Sequence, residues 1–431
     1  MHKAAALTAS VAALLGASLS SSLVRAAANL GVNVGADLVY HSNAALVSSD
    51  VKSDLDRVGR ARIAFDNPDP QLQAKLDYQA ERHDYQDDVQ ADRTIITGAA
   101  NIKWAALERF LDFTLEHEVS DQLQDRRGAN VESNVERRSI LRAGSDLYAH
   151  LSKVDTVVIN PSFSQVSLQS TTGSDSHSSA LSLSWRHAMS AVSALQLSGT
   201  REFRRFDDSV NNYNADRVLL GLNTQLSHLS YFVGGGLNRI ERDQGKNANG
   251  FSAQISADYT ETYYSWGGVV IRQLTDTSVG LSSFEQTLTD FQATDGNVDQ
   301  FDIVETTQVE LHGRRQLTAS SSLSGSVGYT RQDYQVTARD ENSYIVALGY
   351  SYDVNPLWAV GLNGRYGMND FLDDPNNLKQ RDSQLDLFLQ YRSSEWFSAR
   401  FGVGRQQRNA NVSTTEYRDN YISASVNFLL Y

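Results

Sequence analysis

The sequence predicts an all-β chain that folds as a transmembrane, antiparallel, up-and-down β-barrel of about 20 strands, with about 18 strands as the alternative. Three observations lead to this prediction. Apolar and polar residues alternate with a period of two, and short polar connections alternate with long ones along the chain. After the N-terminal stretch 4–19, no segment is apolar for long enough to form a membrane helix. We therefore expect short periplasmic turns and long outer loops.

The alternation places apolar side chains on one face of each strand and polar ones on the other. In the segment 72–80, Leu72, Leu76 and Tyr78 alternate with Lys75 and Asp77. Similar rows occur at 30–40, 98–104, 111–115, 181–185, 218–222, 251–259, 344–352, 385–391, 397–403 and 421–431. The core of a soluble sandwich would not tolerate so many charges, whereas lipid outside and water inside explain both faces.

The connections and the tryptophans give independent support. Long polar connections are predicted at 42–53, 84–93, 118–138, 169–178, 204–214, 241–249, 274–300, 332–342, 368–381 and 405–417, with short turns between them. The tryptophans lie near the predicted strand ends, where an aromatic ring can sit at a membrane surface: Trp104, Trp185, Trp266, Trp358 and Trp396. The weakest strand is 302–316, because Glu305 and Glu310 interrupt its pattern; without this hairpin the barrel would have about 18 strands.

The N-terminal segment predicts export. A positive start, an apolar stretch over 4–19 and the small residues at 26–28 are typical of a signal peptide, so we expect a signal peptide at 1–28 and a barrel domain at 29–431. The last segment, 421–431, is an apolar-polar strand that would close the sheet against the first strand. The expected location is the outer membrane of a Gram-negative bacterium.

The composition excludes some classes of function. The chain has 51 acidic against 38 basic residues, a net charge of −13, which argues against nucleic acid as a partner. Cysteine is absent, so an exported chain of this size needs another source of stability, which a closed hydrogen-bonded sheet would provide.

Several soft motifs resemble a known family. They are the strand 111–117, the loop residues Arg127-Gly128, the segments 134–137 and 141–147, and the Val39-Tyr-His-Ser-Asn43 end of the first strand. This layout resembles the outer-membrane β-barrel porins related to the EpsL-type proteins of exopolysaccharide operons. The resemblance implies a link to exopolysaccharide export and no catalytic residue.

The main functional expectation is passive passage of hydrophilic solute through the barrel interior. Charged residues of both signs on the polar faces of strands would line the interior, which suits hydrated, weakly charged solutes such as saccharides. The candidates are Arg60, Arg62, Lys75, Asp77, Glu81, Lys103, Asp112, Glu116, Arg142, Asp386 and Arg400. Expected partners are outer-membrane lipid, lipopolysaccharide, the barrel-assembly machinery, and polysaccharide or export proteins.

Two alternatives stay open. The barrel could be a plugged structural or adhesive scaffold, with the segment 274–300 as the plug and surface loops that carry the function. It could also be a hydrolase embedded in the membrane, but no sequence motif pairs a serine such as Ser145 or Ser179 with a histidine. We expect no enzyme activity, no catalytic site, no cofactor and no metal site.

Overall fold

The computed structural model describes residues 28–169, 175–278, 301–337 and 339–430. Its 20 strands form one antiparallel sheet in which each strand pairs with the next and β20 pairs with β1. The strands are β1 (Asn29–His41), β2 (Asp54–Asp69), β3 (Leu72–Tyr85), β4 (Arg93–Leu107), β5 (Leu111–Leu123), β6 (Val135–His150), β7 (Asp155–Leu168), β8 (Ser176–Ala188), β9 (Ser193–Phe206), β10 (Tyr213–Gln225), β11 (Leu229–Arg242), β12 (Ala248–Thr260), β13 (Tyr264–Asp276), β14 (Ile303–Thr318), β15 (Ser321–Tyr334), β16 (Glu341–Asn355), β17 (Trp358–Phe371), β18 (Lys379–Ser394), β19 (Phe397–Ala410) and β20 (Tyr417–Leu429).

The closed up-and-down barrel and its 20 strands are confirmed, and the alternative with fewer strands is wrong. The doubtful segment 302–316 is strand β14, whose Glu310 lies on the polar face opposite Val269 and Gly328. The described residues also include three single-turn 3₁₀ helices, at Glu132–Asn134, Ser209–Asn211 and Ser413–Thr415. Across the described ranges, no helix is both long and apolar enough to cross a bilayer. The predicted signal peptide lies outside the described residues except for Ala28.

The strands are longer than the alternation predicted. They span 13–16 residues, whereas a tilted strand needs about 9–11 to cross a bilayer. The predicted loop 118–138 shrinks to 124–134, because β5 continues to Leu123 and β6 begins at Val135. Beyond the membrane both faces of a strand meet water, so polar residues on both faces hide the strand from a search for alternation.

The exterior carries the apolar rows and no second layer of the described chain covers them. Val346 and Leu387 are 37% and 54% exposed. Leu76, which the alternation also places on the exterior, is only 7% exposed because Phe65 and Ile102 on the neighbouring strands pack over it. The side chains that cover Leu76 therefore belong to its own sheet, and no second layer of the described chain packs over it.

Aromatic residues form a ring at the end of the barrel with the short turns. Trp266 stacks on Tyr259 with ring centroids 5.8 Å apart, and Trp358 lies 4.8 Å from Tyr391. Trp104 is half exposed next to Phe113, as expected for a residue at a membrane surface.

A buried carboxylate fixes the seam between the first and last strands. Asp419 on β20 is fully buried and its Oδ2 lies 2.7 Å from His41 Nδ1 on β1. The backbone N–H of Asn43 and the hydroxyl of Ser42 both donate to Asp419 Oδ1, at 2.9 and 3.2 Å. Near His41, the β1–β20 seam therefore has side-chain hydrogen bonds in addition to its backbone ladder. The ladder continues to the other end of the seam, where Val34 pairs with Phe428.

Candidate functional site

The polar faces of the strands line the interior of the barrel. Parts of the chain on opposite sides of a closed barrel can meet only across its interior. Residues of the β5–β6 loop contact Gln332 on β15 and Gln380 on β18, so these two side chains face the interior. On those two strands the alternate residues, Val327 and Leu387, are exposed apolar side chains of the exterior. Residues paired on neighbouring strands share a face, and side chains alternate along each strand. The interior face of all the remaining strands follows from these two facts.

One interior network joins the first three strands. The Arg60 guanidinium on β2 bonds to Asp37 on β1 and, at 2.8 Å, to Glu81 on β3. His83 Nδ1, also on β3, lies 2.7 Å from Asp56 Oδ2. The network alternates in sign across neighbouring strands, which fixes these side chains against the wall.

The neighbouring predicted residues also pair across strands. Arg62 Nε on β2 donates to Asp77 on β3 at 2.7 Å, and Lys103 Nζ on β4 lies 2.8 Å from Asp112 on β5. Both members of the Arg62–Asp77 pair are about half exposed, so they meet water inside the barrel. Lys75 follows on the same face of β3.

The remaining predicted residues lie on either side of the seam. Glu116 on β5 lies 3.8 Å from Arg142 on β6. On the other side of the seam, the Tyr421 hydroxyl donates to Asp386 on β18, and the Arg400 guanidinium lies 3.8 Å from the ring centroid of Phe388.

The structure places the eleven predicted residues on β2–β6, β18 and β19, around one side of the interior. It does not bring them into a single centre. Eight of them form pairs of opposite charge along the wall. Asp386 and Arg400 instead contact Tyr421 and Phe388, and this side of the interior carries charges of both signs.

The β5–β6 loop, residues 124–134, begins with a closed neck. The Asn134 side chain donates to the carbonyl oxygens of Asp125 and Ala129, at 2.8 and 3.0 Å, and accepts from the Asp125 N–H. The Gln124 N–H donates to the Asn134 carbonyl at 2.9 Å. These bonds close the base of the loop, at residues 124, 125 and 134. They direct its tip, residues 126–128, away from β5 and β6.

The tip of this loop crosses the interior and binds the opposite wall. The Arg126 guanidinium is 7% exposed and forms an ion pair with Glu341, the first residue of β16. It also donates to Gln332 Oε1 on β15 at 2.9 Å and to Ser343 Oγ at 3.1 Å. One buried arginine therefore anchors the loop to two strands that lie across the barrel.

A second anchor uses the backbone of the same tip. The Gln380 side chain on β18 donates to the Arg127 carbonyl at 2.8 Å, and Arg408 on β19 donates to the Gly128 carbonyl at 2.8 Å. Arg408 is itself fixed by two hydrogen bonds to Asp382, at 2.6 and 3.2 Å. The two anchors together span β15, β16, β18 and β19, near the barrel end that carries the long loops.

The β13–β14 hairpin also turns inward. The Tyr213 hydroxyl on the interior face of β10 donates to Asp276 Oδ2 at 2.5 Å, and Arg204 Nε on β9 lies 3.6 Å from the same oxygen. Asp276 ends β13 and is fully buried. The β12–β13 ladder stops at Ala253 and Arg272, so the last residues of β13 leave their neighbour and lie over the inner wall.

An apolar cluster holds the base of this hairpin against the wall. It contains Phe206, Tyr213, Ile240, Ala248, Leu274 and Ile303, with Ala215 and Phe301 packed against it. Residues 274–278 and 301–303 thus lie on the interior side of β9–β12. The rest of the predicted plug, 279–300, lies outside the described residues.

Sequence reasoning missed the inward β5–β6 loop, whereas it had offered the segment 274–300 as a plug in one of its alternatives. Arg127-Gly128 appears in the sequence only as part of a soft motif, and nothing near it indicates a partner at Gln380 or Arg408. Within the described part of the chain, no group of three or more His, Asp or Glu residues is arranged to hold a metal ion.

No protein-family model and no curated protein matches this chain in sequence. The resemblance to EpsL-type proteins therefore stays a prediction. Solved structures that resemble the fold include the siderophore receptor PirA from Acinetobacter baumannii, at 9% identity and a TM-score of 0.47 over 93% of this chain and 80% of that one. The FrpB iron transporter from Neisseria meningitidis is 8% identical, with a TM-score of 0.44 over 93% of this chain and 82% of that one. OpdK from Pseudomonas aeruginosa with vanillate is 9% identical, with a TM-score of 0.38 over 93% of this chain and 99% of that one. The likeness concerns the general architecture; the chain itself is a closed antiparallel barrel of 20 strands.

Proposed function

We propose that the protein is an outer-membrane barrel through which hydrophilic solute passes passively, along an interior narrowed by the β5–β6 loop. The observation that carries this proposal is the anchoring of Arg126 and Arg127 to the opposite wall. A loop held there divides the opening at the end with the long loops and limits the size of solute that can pass.

The two faces of the barrel support the location. Exposed leucine, valine and aromatic side chains cover the exterior, which suits lipid, and paired charges line the interior, which suits water. A closed sheet leaves no edge for lipid to contact. The signal peptide predicted at 1–28 supports export through the inner membrane.

The finer proposal concerns the solute. Because the interior charges near the seam are paired locally, the wall offers polar contacts without a strong field of one sign, and such a wall favours hydrated, weakly charged molecules. Saccharides belong to this class. The resemblance to EpsL-type proteins supports exopolysaccharide as the exported material, with polysaccharide-export proteins as partners.

A planar-bilayer recording of the refolded mature chain, residues 29–431, tests the proposed passage. We expect stepwise channel events from protein that shows heat-modifiable migration on a gel, which reports the folded barrel. Folded protein that inserts into the bilayer and gives no channel events would contradict an open passage.

The second candidate, a plugged scaffold, has its own supporting observation. Arg204, Tyr213 and Asp276 hold the base of the β13–β14 hairpin on the inner wall. If this hairpin closes the barrel, deletion of 279–298 should raise a conductance that is close to zero in the full chain. An equal conductance before and after the deletion would contradict the plug.

A further inference from the structure

Tyr78, His117 and Ser139 form a row of hydrogen bonds across β3, β5 and β6. The hydroxyl of Tyr78 lies 2.6 Å from His117 Nδ1, and His117 Nε2 lies 3.0 Å from Ser139 Oγ. The tyrosine and imidazole rings stack, with centroids 5.8 Å apart and planes at 26°. The strand between them, β4, carries Gly98 and Ala100 at this height, so no large side chain separates the two rings.

This row lies on the exterior of the barrel. Tyr78 stands opposite Ile63, which is 48% exposed, and on β5 His117 shares its face with Phe113, which is 42% exposed. Ser139 is on the same face of β6, opposite Val119. The set of aromatic residues that includes Phe113 lies nearer than the row to the barrel end with the short turns. The row therefore sits within the apolar belt that faces lipid.

An ion pair marks the upper limit of this belt. Asp121 and Arg137 are paired residues one rung above the row, and Arg137 Nε lies 3.1 Å from Asp121 Oδ1. The row is thus at the depth where lipid acyl chains join their polar headgroups. An ionisable side chain facing lipid is costly and usually functional, so His117 needs a reason to be there.

The backbone pairing between β4 and β5 stops beside the row. The β4–β5 ladder ends at Gly98 and Val119, although β4 begins at Arg93 and β5 continues to Leu123. Gly98 has a φ of +154°, a backbone conformation that side chains rarely adopt, and it marks the point where β4 leaves β5. Arg137 bridges the split through a hydrogen bond to the Thr94 carbonyl. This split is the place at which water would reach the row.

We propose that Ser139, His117 and Tyr78 form a serine hydrolase site that cleaves acyl esters of membrane lipids. In the tautomer with the proton on Nδ1, His117 donates to the Tyr78 oxygen and accepts from the Ser139 hydroxyl. This is the arrangement that a nucleophile, a base and an orienting group require.

The reaction needs only the lipid and water. Ser139 Oγ attacks the ester carbonyl carbon while His117 Nε2 takes its proton, and the intermediate expels the lipid alcohol, which receives that proton. A water molecule then attacks the acyl-serine ester and gives a proton to His117. The fatty acid leaves and Ser139 recovers its hydroxyl proton. This activity does not depend on solute passage, so the two can fail separately.

An alkyl fluorophosphonate tests the site on the refolded full barrel, because this probe reacts with activated serines. We expect labelling at Ser139 that is lost in Ser139→Ala and about 100-fold slower in His117→Gln, the usual contribution of a general base. Ser145→Ala is the matched control, since Ser145 lies on the same face of β6 opposite Phe113 without a histidine, and it should label normally. Every variant must keep heat-modifiable migration. Folded wild-type protein that stays unlabelled, or Ser139→Ala that labels equally, would overturn the site.

Fatty-acid release identifies the source of the ester. The barrel is incubated with diacyl glycerophospholipid vesicles in one arm and with lipid A in the other. Release that depends on Ser139 in either arm supports the activity and names its substrate. Release in neither arm overturns it.

Discussion

Arg126→Ala should raise the single-channel conductance of the barrel. Arg126 is buried in an ion pair with Glu341, and its removal leaves a buried carboxylate without its arginine. Breaking such a pair costs about 3–5 kcal/mol, which favours release of the loop 124–134 from the opposite wall. The double variant Arg126→Ala/Arg408→Ala removes the first anchor and the arginine of the second, and it should conduct more than either single variant. Planar-bilayer recordings measure this order.

Arg331→Ala is the matched control for this prediction. Arg331 precedes Gln332 on β15 but lies on the exterior face, where it is 46% exposed and pairs with Asp333 of its own strand at 2.8 Å. Loss of such a surface pair costs about 0–1 kcal/mol and should leave the conductance unchanged. Equal conductance in Arg126→Ala, the double variant and the wild type would show that the loop does not limit passage.

Asp419→Ala should destabilise the closed barrel. The carboxylate accepts hydrogen bonds at the seam from Ser42 and Asn43 and contacts His41, and it is fully buried. A hydrogen bond to a charged group contributes about 1.5–3 kcal/mol, so the loss should reach several kcal/mol. The temperature at which the barrel loses its heat-modifiable migration measures this effect, and we expect it to fall.

Asp50→Asn is the control for the seam, because asparagine tolerates the positive φ of 54° at this position. The Asp50 side chain is 86% exposed and its ion pair with Lys52 is 3.6 Å long, so the substitution should change the transition temperature little. Asp419→Asn keeps one oxygen acceptor and should fall between the wild type and Asp419→Ala. If Asp419→Ala melts at the wild-type temperature, the seam does not depend on this carboxylate.

The fold could be predicted because a membrane barrel imposes its pattern on every strand. Lipid selects one face and water the other, so the alternation in 385–391 or 72–80 is visible without any knowledge of the neighbours. The same rule assigned Arg62 and Asp77 to one face, although it could not say that they pair. Strand ends were less certain, because above the membrane the alternation disappears, as it does at Leu123 and Val135.

The loop across the interior could not be predicted from local pattern. Arg126 and Glu341 lie far apart in the sequence, and each is an ordinary charged residue in its own segment. Their contact follows only from the position of β5 across the barrel from β15 and β16. Tyr78, His117 and Ser139 share this limitation: alternation places each on the exterior face, but only the register of four strands brings them together.

Thiol accessibility along β18 tests the central claim most directly, because the chain has no cysteine of its own. Single cysteines are introduced at Gln384, Leu385, Asp386 and Leu387, and each folded variant in lipid vesicles is treated with a charged, membrane-impermeant thiol reagent. We expect labelling at positions 384 and 386, which face the wet interior, and protection at 385 and 387, which face lipid. Uniform labelling, or labelling at 385 and 387 with protection at 384 and 386, would contradict a barrel with an apolar exterior and a hydrated interior.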